Sequence, residues 1–240
     1  MKKTTIIVII ALLIIGLYAA TETTYYSSKV ILESNVDSPV ILIPKIGVNE
    51  KINNHSISEG VYHENLSSDP TYGDVLLFGH RTLLGSPFLR LNELKKGDIV
   101  TLEWPGIGEA NYTIYNQTIV PADAKIDISN NTQRIILVTC NPIGSTSERL
   151  ICEGNLTSKG PLKEEVIKDN PHKDYGIYIT LGFLLFGLLI SFVYKDDRKY
   201  ILATVLIITA FLVYCIIQPQ SVNIFTSQIE FINQIFTLGV

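Results

Sequence analysis

The chain has 240 residues, of which 47% are hydrophobic, and its formal net charge at pH 7 is −4. This composition is too apolar for an ordinary soluble domain of the same length, so membrane-spanning segments are expected. The small net charge, with no basic stripe interleaved with aromatic residues, excludes a nucleic-acid-binding protein.

The first apolar run, Thr4–Ala20, follows a pair of lysines and carries no charge. At about 1.5 Å per residue in a helix, it can just cross a hydrocarbon core. A cleaved signal peptide is the alternative, but the run is long for one, and Tyr18 stands where a small residue is preferred before the cut. We therefore expect residues 1–20 to form an N-terminal transmembrane anchor.

Two further apolar runs, Gly176–Tyr194 and Tyr200–Ile217, are separated only by the charged connector KDDRK. Such a short connector predicts a transmembrane helical hairpin over residues 176–217, with its turn at one membrane face. Basic residues near span ends favour the cytoplasmic side, and the connector and the N-terminal lysines share that side. A multi-pass protein of the cytoplasmic membrane is predicted, in which residues 21–174 and the tail 218–240 are extracytoplasmic.

Six Asn-x-Ser/Thr sequons support this orientation, because none lies in a predicted span or in the connector. They begin at Asn54, Asn65, Asn111, Asn116, Asn130 and Asn155. A single sequon arises easily by chance in a chain rich in Asn, Ser and Thr, whereas their clustering indicates a glycosylated surface protein.

The outer segment has room for one domain, at residues 40–157, between polar linkers at 21–39 and 158–175. Its short runs of Val, Ile, Leu, Tyr and Thr, separated by turn residues, predict a small barrel or sandwich. The predicted strands are Val40–Ile43, Asp74–Phe78, Ile99–Trp104, Tyr112–Val120, Ile135–Thr139 and Arg149–Cys152. One helix is predicted from Pro87 to about Lys96, capped by Ser86. Its apolar stripe, expected to pack in the core, consists of Phe88, Leu91 and Leu94.

Two apolar strands of this domain end at residues with catalytic chemistry. The strand Ile135–Thr139 stops at Cys140, before the turn signal Asn-Pro, and another strand stops at Gly-His80. A buried core cysteine is the alternative for Cys140. A neighbouring imidazole can take the proton of a thiol or stabilise its thiolate, so the two strand ends predict a cysteine nucleophile with His80 as its proton partner. Whether His80 acts chiefly as a base or as the acid for a leaving amine stays open.

An oxyanion formed by thiolate attack needs a stabilising group, and Arg134 and Arg149 are the candidates. Arg134 precedes Cys140 by about 20 Å along one strand at roughly 3.3 Å per residue, whereas the following turn can return Arg149 beside the cysteine. Arg149 is therefore the predicted electrostatic helper. A barrel-rim arginine paired with a surface carboxylate is the alternative.

The other histidines and cysteines carry weaker signals. His55, His63 and His172 lie in polar stretches and are predicted to be solvated, and no metal site with recognised ligand spacing is found. Cys152 lies in the strand after Arg149, on the side opposite Ile151, and is expected to be a small packed residue. A disulfide between Cys140 and Cys152 would silence the nucleophile.

Four segments in combination resemble the sortases, the surface cysteine transpeptidases of bacteria and some archaea, over most of residues 41–154. They are IPKIGV at 43–48, GHR at 79–81 with the stretch that ends in KGD at 96–98, LVTC at 137–140 and RLICEG at 149–154. In look the chain is similar to class C/D-type or archaeal sortases. Two departures leave pilus assembly and surface anchoring both open: no Asp-Pro-aromatic lid motif precedes the barrel, and the C-terminal anchor is a double span.

The resemblance implies a mainly β fold, a closed eight-stranded sortase-like β-barrel with one or two short helices, between N-terminal and C-terminal transmembrane helices. It implies that Cys140 forms a thioester with a Leu-Pro-x-Thr-Gly-like sorting motif cut after its Thr. His80 then handles protons, Arg149 steadies the substrate or oxyanion, and Thr139 lines the pocket. An amine of the cell wall or of another protein subunit releases the product, and no cofactor is expected.

Two other functions remain compatible with these residues. The nearest is a surface thiol protease or hydrolase that uses the same three residues with water as acceptor. The other is a non-enzymatic glycosylated surface module in which Cys140 is buried.

Overall fold

The computed structural model describes residues 2–32, 38–82, 84–168, 172, 174–195, 197–218 and 225. They form two compact units, Leu32–Pro171 on the one hand and Met1–Ile31 with His172–Val240 on the other. The α-helices of the described residues are α1 Lys3–Leu32, α2 Glu164–Lys168, α3 Tyr175–Val193 and α4 Arg198–Ile217.

The first unit is a β-barrel of eight strands. They are β1 Val40–Ile43, β2 Val48–Asn53, β3 Val61–His63, β4 Val75–Phe78, β5 Ile99–Trp104, β6 Gly108–Pro121, β7 Arg134–Asn141 and β8 Glu148–Gly160. The strands close in the order β1-β2-β3-β4-β7-β8-β6-β5. The pairs β2/β3 and β4/β7 are parallel and the others are antiparallel. The closed eight-stranded barrel implied by the resemblance is confirmed.

Alternating side chains fill the barrel interior. Successive residues of a strand point to opposite faces, so each strand contributes every second residue to one core. β2 shows this alternation along its whole length, although its sequence VNEKIN is largely polar. The sequence prediction missed β2 and β3, because β2 lacks a clear apolar run and β3 is only three residues long.

β6 and β8 are longer than predicted and pair along their whole length. The register runs from Pro121↔Glu148 to Glu109↔Gly160, so β8 continues into the predicted linker at 158–175. Beyond it, the backbone N–H of Lys163 donates to Glu103 Oε2 (2.9 Å), and α2 follows. The first part of that segment therefore belongs to the folded barrel unit, because β6 supplies a partner strand for it.

The helix predicted from Pro87 to Lys96 is wrong. Only a 3₁₀ turn at Leu91–Glu93 is present, and Ser86, the predicted cap, has a left-handed backbone with φ of 44°. Successive N–H groups bond to the carbonyl three residues earlier, as between Leu94 and Leu91 (3.2 Å). Since 3₁₀ turns place residues three apart on one face, Phe88, Leu91 and Leu94 are still buried in the core, as predicted.

Within the described part of the second unit, three helices are long and apolar enough to cross a membrane: Lys3–Ser27, Tyr175–Val193 and Arg198–Ile217. They coincide with the three predicted spans. α1 does not end near Ala20 but continues to Leu32 through residues predicted as linker. No Gly or Pro interrupts this stretch, and Thr21 and Ser27 donate to the carbonyls four residues earlier (3.0 and 2.7 Å).

Close helix contacts hold this unit together. A Cβ added at Gly187 of α3 would lie 2.5 Å from the Val205 side chain of α4, so glycine permits that approach. The Asp197 carboxylate between α3 and α4 accepts from the backbone N–H of Lys2 (2.8 Å) and from the Thr5 hydroxyl (3.1 Å). The start of α1 therefore lies beside the α3–α4 turn. The tail predicted at 218–240 lies outside the described residues, except for 218 and 225.

Candidate active site

Cys140 lies near the end of β7, on the outer face of the barrel wall. Ile135 and Leu137 belong to the main core, whereas Ile136 and Val138 belong to a second apolar cluster on the other face of the strand. The period of two puts Cys140 on the face of Ile136 and Val138. Cys140 is half-buried and forms no disulfide, so its thiol is available for chemistry.

Arg149 lies directly across from the cysteine. Cys140 and Arg149 are paired in the antiparallel register of β7 and β8, and Arg149 shares the outer face with Ile151. Its Nη1 donates to the carbonyls of Thr146 (2.9 Å) and Glu148 (3.0 Å), which anchors the guanidinium within the β7–β8 turn. The turn after Cys140 predicts that Arg149, and not Arg134, returns beside the cysteine. The register places Arg149 directly opposite Cys140.

His80 follows β4, which runs parallel to β7. Phe78 pairs with Val138, and the N–H of Gly79 donates to the Val138 carbonyl (3.1 Å), so the register carries His80 alongside Cys140. Neighbouring strands lie about 4.8 Å apart, so the register places Cys140, His80 and Arg149 at adjacent positions of three neighbouring strands. All three residues therefore lie at one end of β4, β7 and β8.

The surroundings of the His80 ring favour the neutral imidazole. It is half-buried, its Nε2 is buried, and no hydrogen-bond partner for Nε2 lies among the described residues. Burial disfavours the charged imidazolium and lowers the pKa of His80 below its ordinary value. At neutral pH the imidazole is therefore mainly uncharged and free to take up a proton.

Thr139, predicted to line the substrate pocket, lies on the inner face of the barrel wall. Its neighbours in the alternation, Leu137 and the paired Leu150, belong to the barrel core, and only 3% of Thr139 is exposed. Its hydroxyl donates to the Gly79 carbonyl (2.8 Å), which ties β7 to the residue before His80. The Thr139 side chain thus lies on the face opposite Cys140 and holds the backbone of Gly79, the residue before His80.

The residue before His80 must be small. A Cβ at Gly79 would lie 2.6 Å from the Phe88 ring, which is fully buried in the core. Glycine lets the chain leave β4 over this ring, so that the next residue turns toward Cys140. The Gly-His pair in the sequence is therefore explained by packing as well as by chemistry.

An apolar groove of about 390 Å³ leads to the site on the outer face. It is lined by Leu76, Phe78, Val120, Ala122, Ala124, Ile126, Val138 and Arg149. Val138 precedes Cys140 by two residues on the same face, and Arg149 borders the groove at this end. Seven of its eight lining residues are apolar, which suits an apolar segment of a ligand.

The sequence prediction missed one wall of the groove. Val120 lies in a predicted strand, whereas Ala122, Ala124 and Ile126 belong to the β6–β7 loop, for which the sequence analysis predicts no element. Every second residue from 120 to 128 is apolar, in a stretch otherwise polar, and this alternation was the signal that could have revealed the wall.

The second arginine, Arg134, is at the other end of β7. Its Nη2 lies 2.7 Å from Asp74 Oδ2 and its Nη1 lies 3.0 Å from Glu153 Oε1. Burial would raise the pKa of Asp74, but hydrogen bonds from Arg134 and Thr132 outweigh it and hold that pKa below its ordinary value. This end of the strand is an ion-pair network with its partners in place.

Two of the histidines predicted to be solvated are not. His63 is 9% exposed, its ring packs edge-on against Trp104 (5.2 Å), and its Nε2 contacts the Ser67 hydroxyl (3.0 Å). His172 packs against the ring of Tyr175 (4.8 Å). Only His55 is exposed. His63 is covered by Trp104, which is far from it along the chain, whereas His172 is half-buried beside the nearby Tyr175. The polarity of a stretch of sequence therefore does not show how exposed its histidines are.

Cys152 is fully buried in the barrel core, as predicted. Burial raises the pKa of its thiol to about 11, only partly offset by the Gln117 side chain, so it is unsuited to act as a nucleophile. Among the described residues, no group of three His, Cys, Asp or Glu side chains is arranged to hold a metal ion.

A closed barrel that presents a cysteine, a histidine and an arginine at the rim of one wall defines a cysteine enzyme built on a β-barrel. The family model described as the sortase domain matches residues 34–157. The chain therefore belongs to the sortase family, a family of cysteine transpeptidases. A comparison with curated proteins found no match.

Solved structures of sortases are similar to this chain. Sortase C-1 from Actinomyces oris is 30% identical, with 50% of this chain and 73% of that chain covered and a TM-score of 0.45. Sortase C1 from Streptococcus agalactiae is 28% identical, covering 50% and 67%, at 0.45. A lid mutant of sortase A from Corynebacterium diphtheriae is 24% identical, covering 52% and 72%, at 0.46.

Proposed function

We propose that this protein is a membrane-anchored sortase that cleaves a C-terminal sorting motif of surface proteins through a Cys140 thioester and transfers the acyl group to an amine. The observation that carries the proposal is that Cys140, His80 and Arg149 occupy adjacent positions on neighbouring strands, beside an apolar groove that Arg149 and Val138 line. The family membership of the barrel supports the same chemistry.

The first half-reaction begins when neutral His80 takes the proton of the Cys140 thiol. The thiolate attacks the carbonyl carbon of the residue before the scissile bond, a carbon–sulfur bond forms, and the carbonyl oxygen becomes an oxyanion. Arg149, opposite Cys140, stabilises that charge. As the oxyanion collapses, the carbon–nitrogen bond breaks and the imidazolium of His80 gives its proton to the leaving amine.

The second half-reaction reverses these roles. An incoming amine attacks the thioester carbonyl, the carbon–nitrogen bond forms, and the carbon–sulfur bond breaks. His80 accepts a proton from the attacking amine and returns it to the sulfur of Cys140. Arg149 stabilises the second oxyanion as it did the first, and no cofactor is needed to balance either step.

The groove supports a substrate that binds as an extended, mainly apolar segment. Its walls are aliphatic or aromatic, and Arg149 provides the charge at the end where the bond is broken. A Leu-Pro-x-Thr-Gly-like motif would place its apolar residues in the groove and its Thr carbonyl at Cys140. The acceptor is an amine of a cell-wall component or of another protein subunit.

We infer an extracytoplasmic catalytic domain on a multi-pass anchor. Three apolar helices have the length for crossing, and the beginning of α1 lies beside the basic turn between α3 and α4. Basic residues at that shared end favour the cytoplasm. The exposed sequon residues Asn54, Asn65, Asn130 and Asn155 are then available for glycosylation, whereas Asn111 and Asn116 are half-buried within β6.

The test uses the full chain in detergent, as wild type and Cys140→Ala, with a library of sorting-motif-like peptides and hydroxylamine. Mass spectrometry should find peptide hydroxamates cut after Thr with the wild type only. Hydrolysed peptide without hydroxamate would favour the thiol protease that uses water. An absence of any cleavage, together with an unreactive Cys140, would favour the non-enzymatic module.

A further inference from the structure

Arg81, the residue after His80, has a buried charge with an unusual set of partners. It is 5% exposed, whereas arginine is almost never fully buried unless it is paired. No ion pair to Arg81 occurs among the described residues. Its hydrogen bonds within the described part of the chain go to neutral oxygens, so dipoles, and no carboxylate there, compensate the cation.

These oxygens belong to two other segments of the active-site end. Nη1 donates to the Cys140 carbonyl (3.2 Å) and to Asn141 Oδ1 (2.8 Å). Nη2 donates to Asn92 Oδ1 (2.8 Å), and Nε donates more weakly to the Leu89 carbonyl (3.4 Å). One planar guanidinium therefore joins the loop after His80, the 3₁₀ segment and the end of β7.

The connection extends to the third catalytic residue. The Asn141 side chain that accepts from Arg81 also donates through Nδ2 to Glu148 Oε2 (2.8 Å). Glu148 immediately precedes Arg149, which pairs with Cys140 across the strands. Arg81, Asn141 and Glu148 are thus connected by hydrogen bonds, and each is adjacent in sequence to one of the three proposed catalytic residues. None of these connected side chains lines the groove.

We propose that Arg81 is a positioning residue of the sortase reaction, which holds the backbone of Cys140 at a fixed distance from His80 through its bond to the Cys140 carbonyl. The proposal rests on the proposed function. Burying a cation among neutral acceptors is costly, and locally unfavourable features of this kind are expected at functional sites. A misplacement of about 1 Å between reacting groups can reduce a rate by about 100-fold, so such a clamp matters for turnover.

The test compares Arg81→Lys with Arg90→Lys in the full chain in detergent. Lysine keeps the charge but cannot reach the oxygens of three segments at once. We expect Arg81→Lys to lower kcat for hydroxamate formation by about 10- to 100-fold with KM within about threefold of wild type. Arg90 is exposed and pairs only with its neighbour Glu93 among the described residues, so Arg90→Lys should leave both constants unchanged.

A second measurement does not depend on transpeptidation. Cys140 is the only cysteine that is not fully buried, so iodoacetamide reports on its thiol alone. His80→Ala should change the pH profile of Cys140 alkylation. Arg81→Lys should move the profile in the same direction as His80→Ala, because it loosens the same thiol–imidazole pair, and Arg90→Lys should not move it.

The outcomes separate the two proposals. If the wild type forms no hydroxamate, the proposed function fails, and the alkylation profiles still decide the role of Arg81. The positioning role would be overturned if the pH profile of Cys140 alkylation in Arg81→Lys coincides with that of wild type. It would also be overturned if the loss of kcat follows only the unfolded fraction in thermal melts. If Arg81→Lys does not fold, Asn92→Ala removes one acceptor of Arg81 and should cause the same changes to a smaller extent.

Discussion

The two ends of β7 use polar groups in opposite ways. At the start of the strand, Arg134 is held by Asp74 and Glu153, and each charge has a partner of opposite sign. At the far end, Nε2 of His80 is buried with no partner among the described residues, and the Cys140 thiol is free. The difference indicates that the first end stabilises the barrel, whereas the second end keeps its hydrogen-bonding capacity for a substrate.

The largest effect is expected from removing the nucleophile or its proton partner. Cys140→Ala should abolish hydroxamate formation, and His80→Ala should reduce it by about 1000-fold or more, because no other group takes the proton. The melting temperature of Cys140→Ala should stay near that of wild type. A variant without Cys140 that still forms hydroxamate would show that the nucleophile lies elsewhere.

At the other end of β7, substitution should affect stability instead of turnover. Asp74→Asn leaves Arg134 without its main ion-pair partner, and breaking a buried pair costs about 3 kcal/mol. Urea unfolding monitored by Trp104 fluorescence should show this loss, while the folded fraction keeps the kcat of wild type. Arg90→Lys, on an exposed pair, is the matched control. A selective loss of kcat in Asp74→Asn would break the division between the two ends.

The groove should control affinity. Ala124→Trp places an indole within the groove and should raise KM for the peptide about tenfold with little change in kcat, because the reacting groups are untouched. Ile119→Trp, at an exposed position of β6 outside the groove, is the control. Equal effects of the two substitutions would mean that the peptide binds somewhere else.

The smallest effect is a dependence of stability on mildly acidic pH. Burial lowers the pKa of both His63 and His80 below the ordinary value, so the unfolded chain binds protons more readily than the folded one. The contribution of these two histidines to the free energy of unfolding is fully present above the unfolded pKa of about 6.5. It decreases as the pH falls from there toward their folded pKa values. Urea unfolding at pH 7.5 and pH 5.5 measures the drop, which should be smaller in His63→Gln.

What the sequence predicted well depended on local patterns. Apolar strands that stop abruptly predict Cys140 and His80 as catalytic residues, and the length of the following turn favours Arg149 over Arg134. The structure places these three residues at neighbouring strand ends, and their catalytic roles stay a prediction. The spans were visible because a membrane helix needs a long uncharged run. Each of these signals is contained within one segment of the chain.

The parts that failed depend on partners distant in sequence. β8 continues to Gly160 because β6 lies beside it along that length. The stripe at Phe88, Leu91 and Leu94 fits a 3₁₀ segment as well as an α-helix, and only the packed barrel distinguishes them. Arg81 looked like part of a motif, and its contacts with Cys140 and Asn92 appear only in three dimensions.

The most direct test of the central claim is to find the acyl group on the enzyme itself. The full chain is mixed with a peptide that it cleaves, quenched in acid without an added amine, digested and mapped by mass spectrometry. We predict a thioester adduct on the fragment that contains Cys140, present in the wild type and absent after treatment with hydroxylamine. Cleavage that proceeds with no adduct, or an adduct on any other residue, would contradict it.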